Sequence, residues 1–116
     1  MLQQPKPDDY VLATGETRSV REFIEHAFSA LEMSIAWRGT GLEEQGYDIK
    51  SGKLLVDIDP QFRRPSEVHI LLGDSSKARQ KLGWTPKHSF ADLVRDMIEH
   101  DLEILPLVTT KRRVRL

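Results

Sequence analysis

Cysteine is absent from the 116 residues. That removes a disulfide framework, a thiol nucleophile and a zinc–cysteine site together. No run approaches the roughly 18 apolar residues that span a bilayer. No sign of charge dominates: 17 basic and 18 acidic residues leave a formal net charge of −1. No global field therefore draws nucleic acid or an anionic membrane, and neither is expected as a partner. The G-x-S-x-G elbow of hydrolases is missing. The histidines, His26, His69, His88 and His100, share no i, i+4 spacing, so no H-x-x-x-H metal pair is expected. Internal repeats and low-complexity stretches are lacking too. What remains is the composition of one small soluble domain, 39% hydrophobic and 30% charged. The first nine residues are polar and proline-bearing, unlike a secretory signal. A cytoplasmic setting fits these features.

The chain divides into short alternating elements. Tyr10–Thr14 reads as a brief strand ended by Gly15. Ser19-Val-Arg-Glu22 is a capping box, in which the serine hydroxyl and the glutamate satisfy first-turn amides reciprocally. It opens a helix to about Leu31, with Val20, Phe23, Ile24, Ala27, Phe28 and Leu31 on one face. Ser34–Trp37 is another short strand. Gly39–Gly52 reads as a polar, glycine-rich loop. Lys53–Ile58 is the best strand, stopped by Pro60. Asp74 caps a short helix from Ser75 to about Leu82, with Gly83 as its stop. Ser89-Phe-Ala-Asp92 opens the longest helix, which Pro106 is expected to end near Leu105. Its inner stripe, Phe90, Leu93, Val94, Met97, Ile98, Leu102 and Leu105, is broken by Asp101. Three segments follow: a polar start over 1–9, a folded part over 10–105 and a basic, aperiodic tail over 106–116.

Most candidate chemistry fails on spacing. Asp57 and Asp59 lie two apart on a strand, as paired acid–base carboxylates can. Before a proline, turn formation is the plainer use. Trp37-Arg-Gly39-Thr-Gly41 starts like a dinucleotide fingerprint, but the third glycine falls on Glu44 and no capped helix follows. Tyr47-Asp-Ile-Lys50 is one residue short of a Tyr-x-x-x-Lys pair and sits in the loop.

Phe62-Arg-Arg-Pro-Ser-Glu-Val68 survives the same scrutiny. Arg64 offers a planar, permanently charged fork that matches phosphate oxygens. Pro65 stiffens the turn that carries it. If Val68 begins a helical turn, Glu67 lies beside Arg64, and its carboxylate can accept from sugar hydroxyls. A solvated Arg–Glu pair at the head of a short helix is the plainer reading of the same residues. The chain reads as the part of a site that holds a substrate, without the part that reacts.

Four segments resemble the C-terminal third of the GDP-mannose 4,6-dehydratase family, within the extended short-chain dehydrogenase/reductase superfamily. They are Asp9-Tyr-Val-Leu-Ala-Thr-Gly-Glu16 with Ser19-Val-Arg-Glu-Phe23; Gly39-Thr-Gly-Leu-Glu-Glu44; Val56-Asp-Ile-Asp-Pro60 with Arg64-Pro-Ser-Glu-Val68 and Leu71-Leu-Gly-Asp74; and Lys77-Ala78 with Lys81-Leu-Gly-Trp-Thr-Pro86. The last is common to many nucleotide-sugar epimerases and dehydratases. The Gly-Thr-Gly-x-Glu-Glu and Arg-Pro-x-Glu segments are more particular.

The resemblance implies an α/β fold: a small C-terminal substrate-binding subdomain with short strands and about three helices, lacking the Rossmann core. It implies GDP-mannose or a related nucleotide sugar as ligand, with Arg64 on the diphosphate and Glu67 on the nucleoside side. It places the NADP site, the Tyr-x-x-x-Lys pair and the Thr/Glu acid–base set upstream. No catalytic, cofactor or metal residue is therefore expected here, and the chain alone is expected to be inactive. Arg63 stands where the family often has an aromatic residue, His69 replaces a usual acidic position, and the loop after Glu44 is shortened. Met1 is open between a start and an internal residue of a longer chain. Another nucleotide-sugar reductase or epimerase, or a non-catalytic interaction module, are the alternative readings. The resemblance also implies an unpaired edge and an apolar face, with Phe23, Phe28, Leu93 and Met97 as candidates. Marginal stability, self-association or a need for the upstream half is expected.

Overall fold

A computed structural model describes residues 1–68 and 70–113, with side chains through residue 105. His69 and residues 114–116 lie outside the described residues. Among the described residues three α-helices, α1 (Val20–Ala30), α2 (Ser76–Leu82) and α3 (Phe90–Arg113), accompany three strands, β1 (Ile35–Arg38), β2 (Gln45–Asp48) and β3 (Leu54–Val56). The strands form one antiparallel sheet in the order β1-β2-β3.

Local chemistry sets the helix ends. Ser19 Oγ accepts from the Glu22 amide, and the Glu22 carboxylate accepts from the Ser19 amide at 2.7 Å, so the expected capping box forms. Ser89 and Asp92 repeat the exchange at the start of α3. Asp74 Oδ1 accepts from the Ser76 amide and hydroxyl, anchoring the start of α2 from one residue further out than a usual cap. Gly83 ends α2 with φ +63°. Helix α1 closes with paired bonds, Met33 N–H to Phe28 O and Glu32 N–H to Ser29 O. This closure places Glu32 at φ +58°, a left-handed position that usually takes glycine.

Four expectations need correction. Residues 10–14 form no strand among the described residues. They run beside the backbone at Gly73, where an added Cβ would sit 2.5 Å from Ala13 Cβ. The 39–52 loop holds β2, paired to β1 with Trp37 opposite Gly46. Gly46 leaves room for the Ile35 and Trp37 side chains, which an added Cβ would meet at 2.8 and 3.1 Å. The strand expected over Lys53–Ile58 is confined to Leu54–Val56. Helix α3 passes Pro106 and reaches Arg113. An interior proline deletes one backbone hydrogen bond and crowds the carbonyl four residues back, which costs a helix about 3 kcal/mol without forbidding it.

The core is thin. Ala78 and Val94 are its fully buried apolar side chains among the described residues. Helix α1 packs on α3 through Phe23, whose ring meets Phe90 edge-on at 6.2 Å. Leu93, Met97, Leu102 and Leu105 are exposed, so the inner stripe expected of α3 is covered only along Phe90, Val94 and Ile98. Of the four residues expected on an open apolar face, Leu93 and Met97 are exposed and Phe23 and Phe28 half-buried.

Over the described residues the fold is extended. Its radius of gyration is 19.5 Å, against about 13 Å for a compact domain of this length. Its accessible surface is 10,423 Å², against about 6,500 Å² for a globular monomer of this mass. No helix of the described residues is long and apolar enough to cross a membrane.

Candidate functional site

Strand β3 delivers the chain into the segment that carries Arg64 and Glu67. Asp59 Oδ1 accepts from the Gln61 amide at 2.9 Å, and Pro60 opens a single 3-10 turn, Pro60–Phe62. Asp59 thus forms a turn, in line with its plainer reading. The Arg63 amide donates to Pro60 O at 3.2 Å. Arg63 itself is extended, at φ −66° and ψ 126°. Pro65 follows Arg64 and fixes its own φ. The expected helical turn at Val68 is not formed.

The pairing expected of Arg64 and Glu67 is nevertheless present. Arg64 Nε lies 3.9 Å from Glu67 Oε1, and the side chains are 79% and 63% exposed. An ion pair that open contributes little to folding, because water screens it and two long side chains must be ordered. Both groups therefore remain available to a ligand. The turn before them is also unburied, with Phe62 81% exposed.

Grooves among the described residues lie elsewhere, and two of them adjoin the elements around α1. One of about 400 Å³ runs between Arg18 and the start of α3, lined by His88, Phe90 and Leu93 among others. Another of about 260 Å³ lies beside Trp37, Glu44 and Asp57. Neither is lined by Arg64 or Glu67.

Sequence spacing did not disclose the polar clusters that hold the scaffold, because their members are distant in the chain. Arg21 pairs with Glu44 and stacks over the Trp37 ring at 5.1 Å. Trp37 Nε1 donates to Glu25 Oε1 at 2.8 Å. This cluster ties the Gly39–Glu44 turn to α1. At the other end, Asp8 accepts from Lys77 Nζ at 2.6 Å and Lys81 Nζ at 3.4 Å. The Lys77 bond first, then the Asp9 amide, hold the Asp8 carboxyl down at about 2. Arg79 Nη2 reaches Thr14 O at 3.0 Å, so α2 clamps the segment that precedes α1. Asp48 is buried and accepts from the Lys50 and Ser51 amides at 3.2 and 3.0 Å, closing the β2–β3 turn. Hydrogen bonds from Ser51 and then Lys50 lower its pKa.

The residues present do not fit a dinucleotide. Gly39 and Gly41 lead into a three-residue 3-10 turn, Gly41–Glu43, rather than a helix. A pyrophosphate there would lack the ring of free amides that a helix start provides. Tyr47 lies in β2 and Lys50 in the turn after it, so they do not share a helical face. Among the described residues no group of three or more His, Asp or Glu is placed to hold a metal ion.

The architecture is thus a small α/β unit of three helices and an antiparallel three-stranded sheet, with an exposed Arg–Glu pair on a stiffened loop. The family model described as GDP-mannose 4,6 dehydratase matches residues 1–97, and the chain belongs to that family. It is 52% identical over 105 residues to a GDP-mannose 4,6-dehydratase of Sinorhizobium fredii (strain HH103), covering 90% of this chain and 30% of that protein. It is 50% identical over 105 residues to a GDP-mannose 4,6 dehydratase of Drosophila melanogaster, covering 90% and 27%. The corresponding figures for a GDP-mannose 4,6 dehydratase of Homo sapiens are 45% over 105 residues, 90% and 28%. The chain spans about three-tenths of the length of the curated relatives it matches.

Proposed function

We propose that this chain is the substrate-gripping C-terminal part of a GDP-mannose 4,6-dehydratase, a subdomain of an extended short-chain dehydrogenase fold working in the cytoplasm. Residues 10–105 form the nucleotide-sugar-binding unit. Arg64 takes the diphosphate of GDP-mannose through its guanidinium fork, and Glu67 accepts from hydroxyls on the nucleoside side. NADP and the acid–base residues belong to the portion of the enzyme outside this chain, which supplies the hydride chemistry and the loss of water that make the 4-keto-6-deoxy sugar. The observation that carries the reading is the Arg64–Glu67 pair, 3.9 Å apart and open to solvent, on a loop that follows the Asp59–Pro60 turn and contains Pro65.

Saturation-transfer NMR of the chain with GDP-mannose and with UDP-glucose tests it. GDP-mannose is expected to bind weakly, because the rest of the site is missing. Arg64→Ala is expected to weaken it about tenfold, the loss of one charge-assisted contact. Equal binding of both sugars, or an Arg64→Ala variant that binds like the parent, defeats the reading. A graft of residues 1–105 into the S. fredii relative, in place of its matching segment, extends the test to turnover. There Arg64→Ala is expected to raise KM for GDP-mannose more than it lowers kcat.

A further inference from the structure

Seven arginines have described side chains, and six of them are engaged. Arg18 pairs with Glu16 and Glu22, Arg21 with Glu44, Arg64 with Glu67 and Arg95 with Asp92. Arg38 stacks over Tyr47, and Arg79 bonds Ser75 Oγ and Thr14 O. Arg63 is the exception: among the described residues its guanidinium has no ion pair, hydrogen bond or ring partner. It stands directly before Arg64, and its backbone is held by the bond to Pro60 O at 3.2 Å.

We infer that Arg63 is a second diphosphate-binding residue, placed to engage one phosphate of a nucleoside diphosphate while Arg64 engages the other. The inference rests on the proposed role of Arg64 and goes beyond it. Arg63 has near-polyproline geometry, φ −66° and ψ 126°. In an extended backbone of that kind successive side chains leave on different faces, so Arg63 does not lie directly over Arg64. Two long guanidinium side chains leaving on different faces can approach an anion from different directions instead of crowding the same oxygens. A diphosphate has two charged centres and rewards this; a monophosphate has one. Glu67 neutralises part of the Arg64 charge in the free chain, whereas nothing described neutralises Arg63. Its charge is therefore the less compensated of the two. The Asp59 cap and Pro60 fix the turn behind it, so little backbone entropy is lost on binding.

The test titrates the full chain with GDP and with GMP, followed by NMR, for the parent, Arg63→Ala, Arg63→Lys and Arg64→Ala. Arg63→Ala is expected to weaken GDP about tenfold and GMP no more than about twofold, so the GDP preference collapses. Arg63→Lys is expected to fall between, because it keeps the charge and loses the fork. A merely structural role for Arg63 would lower both nucleotides alike and would change the spectrum of the free chain. If Arg64→Ala weakens GDP and Arg63→Ala leaves the GDP-to-GMP ratio unchanged, the inference is overturned and the role of Arg64 stands. If neither substitution changes GDP binding, or the parent binds no nucleotide, both are overturned.

Discussion

The region around α1 and the sheet differs sharply from the segment that follows β3. In the first, charged and aromatic side chains consume one another: Arg21 on Glu44 and Trp37, Trp37 on Glu25, Arg38 on Tyr47. In the second, Ile58, Phe62, Val68, Ile70, Leu71 and Leu72 are all exposed beside a loose Arg64–Glu67 pair. Contacts made within the chain hold the first region. The second presents apolar surface and open charge that its own neighbours do not cover. Such a surface marks a place where further protein or ligand belongs.

The largest effect should come from breaking the self-sufficient region. Gly39 has φ +82°, and an added Cβ would lie 2.3 Å from Glu43 O, a backbone atom. Gly39→Ala combines left-handed strain with a backbone clash, at a cost of about 2–5 kcal/mol. A chain this thinly cored is expected to lose its sheet, read as lost strand signal in far-ultraviolet circular dichroism. Unchanged dichroism would show that the β1–β2 turn is not what holds the region together.

The second region sharpens the contrast through association. The chain is expected to self-associate with rising concentration in sedimentation equilibrium. Replacing Leu71 and Leu72 with aspartate should lower the association constant severalfold while leaving the dichroism intact. A parent chain that stays monomeric throughout would erase the difference drawn between the two regions.

A smaller, stabilising change is expected at Glu32. Its φ of +58° costs an L-residue what glycine does not incur. Glu32→Gly should raise stability by about 0.5–1 kcal/mol, seen as a higher urea midpoint with the same slope.

The smallest effect is local and depends on pH. Asp8 falls from its ordinary 3.8 to about 2, chiefly through Lys77. A depressed carboxyl pKa makes the clamp fully present above about 4 and lost as pH falls through about 2. Asp8→Asn should abolish that dependence, followed through the Tyr10 ring signals, since Lys77 Nζ sits 5.2 Å from the ring. A Tyr10 titration that survives the substitution would assign the effect to another group.

Much of the helical frame was legible because its determinants are local. Ser19 with Glu22, Ser89 with Asp92, and Gly83 act within four residues, so spacing alone reveals them. Strand β2 was not legible: Gln45-Gly-Tyr-Asp48 lacks apolar alternation, and its pairing depends on Gly46 making room for side chains from β1. Residues 10–14 carry a strand pattern without a strand neighbour among the described residues. The Arg64–Glu67 proximity followed from their spacing of three, although no helix at Val68 was needed to produce it. In the sequence Arg63 stands out only as a departure from the aromatic residue that the resembling family often has there. Its lack of a partner becomes visible when every other described arginine is traced to one.

The large accessible surface also governs how this chain unfolds. A fully extended chain of this mass would show about 19,000 Å². From its folded 10,423 Å², this one has about two-thirds as much area left to expose as a compact domain would. Heat-capacity change and denaturant slope both scale with that area. Unfolding should therefore be shallow in urea, with a flat dependence of stability on temperature. Cooperativity would then be a property the chain acquires from whatever covers it.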